Sequence, residues 1–140
     1  MGLDDKGDSN NQRSEGHGRW KTTSLDRGRI ALTESLRDWI LQLPNVTKAS
    51  HRFGGTEFQV QGLEFMHTHG TSHLDIRLSK EDQERMLREG KAQPHRFAPQ
   101  AGWVTFRIHS ERDVETAKEL IRLAYDNAEK MMAAHLSRRV

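Results

Sequence analysis

The sequence predicts one α+β domain: a single, mainly antiparallel sheet of about five strands with helices packed on one face, in the order α-β-β-β-β-α-β-α. Two observations predict this fold. Apolar residues recur every three or four positions near both ends of the chain, which is typical of amphipathic helices. Between these segments, short runs alternate apolar and polar residues and are separated by glycines, which favours a sequential antiparallel meander.

The domain is predicted to cover residues 27–135. Residues 1–26 are rich in Gly, Asp, Ser, Asn, Lys and Arg, and they cannot bury enough apolar surface to offset the entropy lost on ordering. We therefore expect a disordered N-terminal tail. Residues 136–140 include Arg138 and Arg139 and are predicted to form a basic C-terminal tail.

Three helices are predicted. The first begins at Asp26 as N-cap and ends before Pro44, and its apolar face is formed by Leu32, Leu36, Trp39, Ile40 and Leu43. The second, short helix begins after the capping box at residues 79–82 and ends near Gly90. The third follows a capping box at residues 110–113, and its apolar stripe is formed by Val114, Ala117, Leu120, Ile121, Ala124, Tyr125 and Ala128.

The strands are predicted from apolar–polar alternation between these helices. Gly54, Gly62 and Gly70 separate the first four strands. We expect residues 93–102 to be an irregular loop, because they contain two prolines. The predicted strands are residues 46–53, residues 57–61, a third with Leu63, Phe65 and His67 on one face, a fourth with Leu74, Ile76 and Leu78 on one face, and residues 103–108.

Composition excludes several classes of protein. The chain has no cysteine, so disulfides, thiolate metal sites and cysteine nucleophiles are excluded. No apolar run is long enough for a membrane span or a signal peptide, so we expect a cytoplasmic protein that does not bind membranes. The 22 basic and 20 acidic residues nearly balance, which argues against nucleic-acid binding. An exposed sheet edge could pair two chains, so a homodimer stays open.

The chain has eight histidines, and three of them lie in the segment His67-Thr-His69-Gly-Thr-Ser-His73-Leu-Asp75. His67 and His69 occupy alternate positions of a strand, so both rings point to the same face, about 7 Å apart at Cβ. With a carboxylate, this pair could bind iron or another transition metal. Two other interpretations are open: histidines hydrogen-bonded for structural reasons, and a pocket that functions without a metal.

The pairing register of the third and fourth strands bears on these interpretations. A two-residue loop at Gly70–Thr71 places His67 opposite Leu74 and keeps all the aliphatic residues on one face. In that register His73 and Asp75 lie on the other face from His67 and His69. A three-residue loop would unite all four residues, but it would place Phe65 opposite Arg77. We favour the two-residue loop, and this choice weakens the case for a compact metal site.

Other candidate residues lie nearby along the chain. His95 belongs to the loop after Pro94, and loops commonly carry functional residues. Asp75 and Arg77 share one face of a strand and could bind an anionic substrate group or simply pair across the sheet. Trp103 opens the last strand and is a candidate for the core or a pocket wall. His51, His109 and His135 have no visible partner in the sequence.

Five segments in this order resemble the luciferase-domain family. They are Leu63-Glu-Phe-Met-His-Thr-His69-Gly, Leu74-Asp-Ile-Arg-Leu78, Gly90 with Pro94-His95, Trp103-Val-Thr-Phe106, and the final amphipathic helix. The resemblance covers roughly residues 45–130. The family includes fungal luciferases, which oxidise a hydroxylated pyrone with molecular oxygen, and many small bacterial proteins of unknown activity. The family pattern often has a third histidine where this chain has Asp75.

The resemblance implies a shared fold more strongly than a shared reaction. If the protein is an enzyme, it implies oxygen-dependent oxidation of a small aromatic or enolic substrate, with His67, His69 and His95 as catalytic residues and Asp75, Arg77 and Trp103 binding substrate. One histidine would remove a substrate proton. The expected cofactor is none, or alternatively a transition metal held by His67 and His69. A non-catalytic module that binds a small molecule or a protein partner is the other hypothesis.

Overall fold

The computed structural model describes residues 23–51 and 54–139. In these residues, three α-helices pack with one six-stranded antiparallel sheet. The helices are α1 (Ser24–Leu41), α2 (Lys80–Arg88) and α3 (Val114–Arg139). The strands are β1 (Val46–Ser50), β2 (Thr56–Val60), β3 (Leu63–His69), β4 (His73–Arg77), β5 (Gln93–Pro94) and β6 (Trp103–Arg107), in the spatial order β1-β2-β3-β4-β6-β5. The predicted α+β class is confirmed, and the element order matches apart from one additional strand.

The helix ends differ slightly from the prediction. The N-cap of α1 is Thr23, whose side chain accepts a hydrogen bond from the backbone N–H of Asp26. Asp26 was predicted as the cap and is instead the third residue of the helix, closing a capping box with Thr23. At the other end, α3 continues to Arg139, so the predicted C-terminal tail is helical from residue 136 to residue 139.

Two predictions fall on residues outside the described ranges. Residues 1–22 of the predicted disordered tail lie outside these ranges. Arg52 and Phe53, the predicted end of the first strand, lie outside them as well. Both stay predictions.

The hydrophobic core lies between the sheet and the helices. One row of cross-strand neighbours, Phe58, Met66, Ile76 and Val104, is fully buried on the helix side. Helix α3 covers β2, β3 and β4, and its apolar stripe contributes Ala117, Leu120, Ile121, Ala124, Tyr125 and Ala128. Helix α1 packs against α3 and β1. Because the helices cover one face, the opposite face of the sheet is left for polar side chains.

The register of β3 and β4 corrects the prediction. His67 pairs with Asp75 and His69 with His73, so the turn has three residues, 70–72, and not two. Thr33 of α1 holds this turn by donating its hydroxyl to the carbonyl of Thr71, at 2.6 Å. All four polar side chains therefore share the face away from the helices.

A β-bulge at Phe65 explains why the favoured register was wrong. On β2, Phe58 pairs with Met66 and the next residue, Gln59, pairs with Glu64, which leaves Phe65 as the extra residue of β3. The bulge directs both Phe65 and Met66 into the helix side, where the Phe65 ring meets Tyr125 at a centroid distance of 5.8 Å. Phe65 therefore does not share a face with Arg77, and the objection to the three-residue loop disappears.

The loop prediction for residues 93–102 is also partly wrong. Gln93 and Pro94 form β5 at the sheet edge, and Pro99–Ala101 form a short 3₁₀ helix. Proline is compatible with both positions, because an edge strand needs no N–H on its outer side and proline fits the first turn of a helix.

Gly55 allows the β1–β2 connection to approach β3 closely. Its φ is +87°, and a Cβ at this position would collide with the carbonyl oxygen of Thr68. Neighbouring Gly54 has a similar φ of +94°, but a Cβ added there would have nothing within 4 Å. Alanine substitutions at the two positions can therefore be compared to separate the cost of the backbone conformation from the cost of the collision.

We expect Gly55→Ala to lower the free energy of unfolding by about 3 kcal/mol, because it combines backbone strain with a collision. Gly54→Ala should cost only about 1 kcal/mol, from strain alone. Urea denaturation of both variants measures the difference. Equal losses would contradict the close approach of Gly55 to β3.

Candidate functional site

The site is built on two cross-strand rows of the sheet. The first row runs Glu57, His67, Asp75, Thr105 and Gln93 across β2, β3, β4, β6 and β5. The second row runs His69, His73 and Arg107 across β3, β4 and β6. Residues two apart on a strand share a face, so both rows point away from the helices. The bulge at Phe65 adds Glu64 to the same face.

Asp75 lies at the centre of the site and is only 4% exposed. Its Oδ1 accepts hydrogen bonds from the Thr105 hydroxyl at 2.7 Å and from His73 Nε2 at 2.9 Å. Its Oδ2 accepts one from His67 Nε2 at 3.1 Å. Burial acts to raise the pKa of Asp75, but the hydrogen bonds from His67, Thr105 and His73 outweigh it and hold the pKa well below its usual range.

His67 lies between two carboxylates. Its Nδ1 donates to Glu64 Oε2 at 2.7 Å and its Nε2 donates to Asp75 Oδ2 at 3.1 Å. Burial disfavours the charged ring, but the hydrogen bonds to Asp75 and Glu64 outweigh it and raise the pKa of His67 to about 9. At neutral pH, His67 is therefore an imidazolium whose two protons are both held by the protein.

His69 is in a different environment. Its side chain is 32% exposed, and its Nε2 lies 3.4 Å from Asp75 Oδ2. Its ring meets that of His67 edge-on at a centroid distance of 4.7 Å. Burial and the positive charge of His67 lower the pKa of His69 below its ordinary value, despite the attraction of Asp75. His69 is therefore a neutral imidazole beside a cationic one.

His95 is oriented by its own loop. Its Nδ1 accepts hydrogen bonds from the backbone N–H groups of Phe97 and Ala98, at 3.1 and 3.0 Å. The proton of the neutral ring must then be on Nε2, which faces Asp75 Oδ2 at 3.5 Å. Gln83 of α2 holds the same loop, donating to the carbonyls of Pro99 and Trp103 at 2.6 and 3.2 Å.

Asp75, Glu64, Thr105 and the histidines described above line one open cleft of about 1350 Å³. The Trp103 ring forms part of its wall, with centroid distances of 5.2 Å to His67 and 5.9 Å to His95. The cleft therefore brings together five of the residues selected from the sequence: His67, His69, His95, Asp75 and Trp103. Arg77 does not line it; its side chain donates to the carbonyl of Ala101 at 3.4 Å.

His51, Glu64 and Thr105 were not selected from the sequence, and the favoured register wrongly placed His73 on the other face. The His51 ring stacks on His67 at a centroid distance of 4.1 Å. The sequence signal for Glu64 was the irregular alternation Leu63-Glu-Phe-Met, in which two bulky apolar residues are adjacent. Such a pair is compatible with a bulge, and a bulge at Phe65 places Glu64 and His73 on the site face.

Several groups of side chains could hold a metal ion. His51, His67 and His69 each offer a ring nitrogen within 4.8 Å of the others, and so do the ligand atoms of His67, Asp75 and His95. A third group is His51, Glu57 and Glu64. A metal can bind a ring nitrogen of His67 only after that nitrogen has lost its proton, which is now hydrogen-bonded to a carboxylate. Binding at His95 Nε2 requires displacement of the proton there, because Nδ1 accepts two backbone N–H groups and so favours the Nε2–H tautomer.

The strand pattern, the bulge and the histidine positions can be compared with known families. Residues 62–124 match the family model of the luciferase domain. The predicted resemblance is confirmed, and the chain contains a luciferase-like domain. The match covers less than half of the chain, from the β2–β3 turn into α3, and His51 lies before it. No curated protein matches the sequence. Among the described residues, no helix has the length and apolar content needed to span a bilayer.

The charge on His67 predicts a pH dependence of stability. A folded pKa of about 9 lies above the ordinary value of 6.5, so the stabilisation is complete below pH 6.5 and is lost as pH rises through 9. We expect the free energy of unfolding to fall by about 3 kcal/mol over this range. In His67→Gln this decrease should disappear, whereas His135→Gln, on the exposed end of α3, should retain it.

Urea denaturation at pH 6.5 and 9.5 measures this difference. NMR titration of the histidine Cε1–H signals measures the pKa of His67 directly. An unchanged pH dependence in His67→Gln would show that His67 is not held as a cation.

Proposed function

We propose that the luciferase-like domain is an oxygenase-type enzyme that needs no cofactor and acts on a small aromatic or enolic substrate. The observation that carries the proposal is the contrast between two adjacent histidines. His67 is held as an imidazolium by Asp75 and Glu64, whereas His69 is neutral and partly exposed in the cleft. Paired groups whose environments separate their pKa values are a common arrangement for acid–base chemistry.

His69 is the general base in this proposal. The Asp75 carboxylate beside Nε2 favours the tautomer with its proton there, which leaves Nδ1 to accept a proton from a substrate hydroxyl. Asp75 then stabilises the imidazolium that forms on His69. The positive charge of His67 favours the enolate or phenolate anion produced in the same step. Trp103 offers a flat apolar surface for the substrate ring.

Molecular oxygen is the oxidant. The electron-rich anion transfers an electron to oxygen, and the resulting radical pair forms one carbon–oxygen bond. The peroxide anion takes back the proton held on His69, giving a hydroperoxide. One oxygen molecule is thereby added to the substrate, its oxygen reduced to the peroxide level and the substrate carbon oxidised. No further reductant or cofactor is required.

Substitution of His69 tests the base. Oxygen consumption is first measured with a panel of hydroxypyrones and catechols to find a substrate. His69→Gln should then reduce kcat on the order of 10²- to 10⁴-fold with little change in substrate binding, because only the proton transfer is lost. His135→Gln is the matched control and should leave kcat unchanged. Unchanged turnover in His69→Gln would refute this role, and binding without turnover in the wild type would favour a non-catalytic binding module.

A metal-dependent enzyme is the second candidate. It is favoured by the three ring nitrogens of His51, His67 and His69, which lie within 4.8 Å of one another. Such a set, with a nearby carboxylate, suits iron or another transition metal. A metal bound there would replace proton transfer by His69 as the basis of the chemistry.

Elemental analysis of protein purified without a histidine tag distinguishes the two candidates. If the domain works without a cofactor, we expect less than about 0.1 equivalent of transition metal and no thermal shift on adding metal, because protons and carboxylates occupy His67. Near-stoichiometric metal that is lost in His51→Ala would replace the cofactor-free proposal with the metal-dependent one.

The luciferase-like match bears on the fold and the family resemblance, and a cytoplasmic location and a homodimer stay predictions. The site residues retain their proposed roles, with one change: Arg77 lies outside the cleft, so a direct contact with a bound substrate is no longer part of the proposal.

A further inference from the structure

Arg107 lines the cleft and lies on the same face of the sheet as the histidines. It pairs with His73 on β4, and His73 pairs with His69 on β3, so the three side chains form one row. Arg107 is exposed and lines the cleft. Within residues 23–51 and 54–139, no carboxylate forms an ion pair with its guanidinium.

Charge is unevenly distributed along the cleft. Its two carboxylates, Glu64 and Asp75, are both engaged by His67. Two other side chains that are lysine or arginine, Lys91 and Arg96, also line the cleft. Lys91 is neutralised by Glu119 at 3.1 Å and Glu89 at 3.5 Å.

The other cation, Arg96, stacks its guanidinium on the exposed Phe97 ring, at 5.4 Å from the centroid. Arg107 therefore differs from Lys91 in having no carboxylate partner, and from Arg96 in lying in the histidine row. Arg107 is thus a positive charge in the cleft that no carboxylate of the described residues pairs with.

We propose that the cleft binds small hydroxyaryl carboxylates, with the carboxylate on Arg107 and the hydroxyl at His69. A guanidinium presents two parallel N–H groups that match the two oxygens of a carboxylate. His69 and Arg107 are two strand spacings apart, about 10 Å at Cα, and both side chains extend into the cleft. His73 lies between them in the row, so one aromatic ring lying over His73 would span the two side chains.

This inference rests on the proposed function for the role of His69, but binding alone tests it. The probes are 4-hydroxybenzoate and its neutral analogue 4-hydroxybenzamide, measured by calorimetry with the full chain. Wild type should bind the benzoate at least about tenfold more tightly than the benzamide. Arg107→Gln should weaken benzoate binding by about tenfold or more and leave benzamide binding unchanged.

A control variant makes the result specific. Arg112→Gln removes an exposed arginine that does not line the cleft, so it should leave both affinities unchanged. Equal affinity for the two probes, no binding of either, or an equal loss for both in Arg107→Gln would overturn the inference.

The outcomes for the two proposals are separable. Benzoate binding that depends on Arg107 without any oxygen consumption would support the anion site and count against the oxygenase. Turnover of a neutral phenol that depends on His69, with no preference for the carboxylate, would support the oxygenase and overturn the anion site.

Discussion

The site depends on one buried carboxylate. Asp75 is 4% exposed, and an ionised carboxylate at that depth is stable only when donors surround it. The sheet supplies them in order: Thr105 from β6, His73 from the same strand, and His67 from β3. The ring nitrogens of His69 and His95 lie slightly farther away, at 3.4 and 3.5 Å. Pairing of the strands brings these side chains together, and three of them are hydrogen-bonded to one buried carboxylate that the other two face.

The helices and strands could be predicted because their patterns are local. The capping boxes, the apolar stripes of α1 and α3, and the glycines between strands each depend on residues a few positions apart. The register could not be predicted by the same means. A single extra residue, Phe65, reverses the alternation, and the correct face for His73 and Asp75 follows only when that reversal is included. Local alternation favoured the wrong register because it assumed a regular strand.

The candidate site was predicted in part for the same reason. His67, His69 and His95 were selected as residue types, and their convergence with Asp75 and Trp103 needed the sheet. His51 could not be selected, because its contact with His67 crosses the whole β2 strand. Glu64 was hidden by the bulge. Its carboxylate changes the chemistry of the site, since without it one nitrogen of His67 would be free to accept a proton or a metal. The charged state of His67 is therefore a property of the tertiary structure and not of the histidine motif.

The identity of residue 75 decides which group of the site can accept a proton. At this position the chain has the carboxylate that organises the neighbouring histidines. An imidazole there could accept or donate a proton itself, whereas Asp75 has a depressed pKa and stays ionised. An ionised Asp75 is a weak base near neutral pH, so the proposed proton transfer uses a neighbouring histidine. His69 is the neighbour with a lowered pKa and an exposed edge in the cleft, and for this reason we propose it as the base.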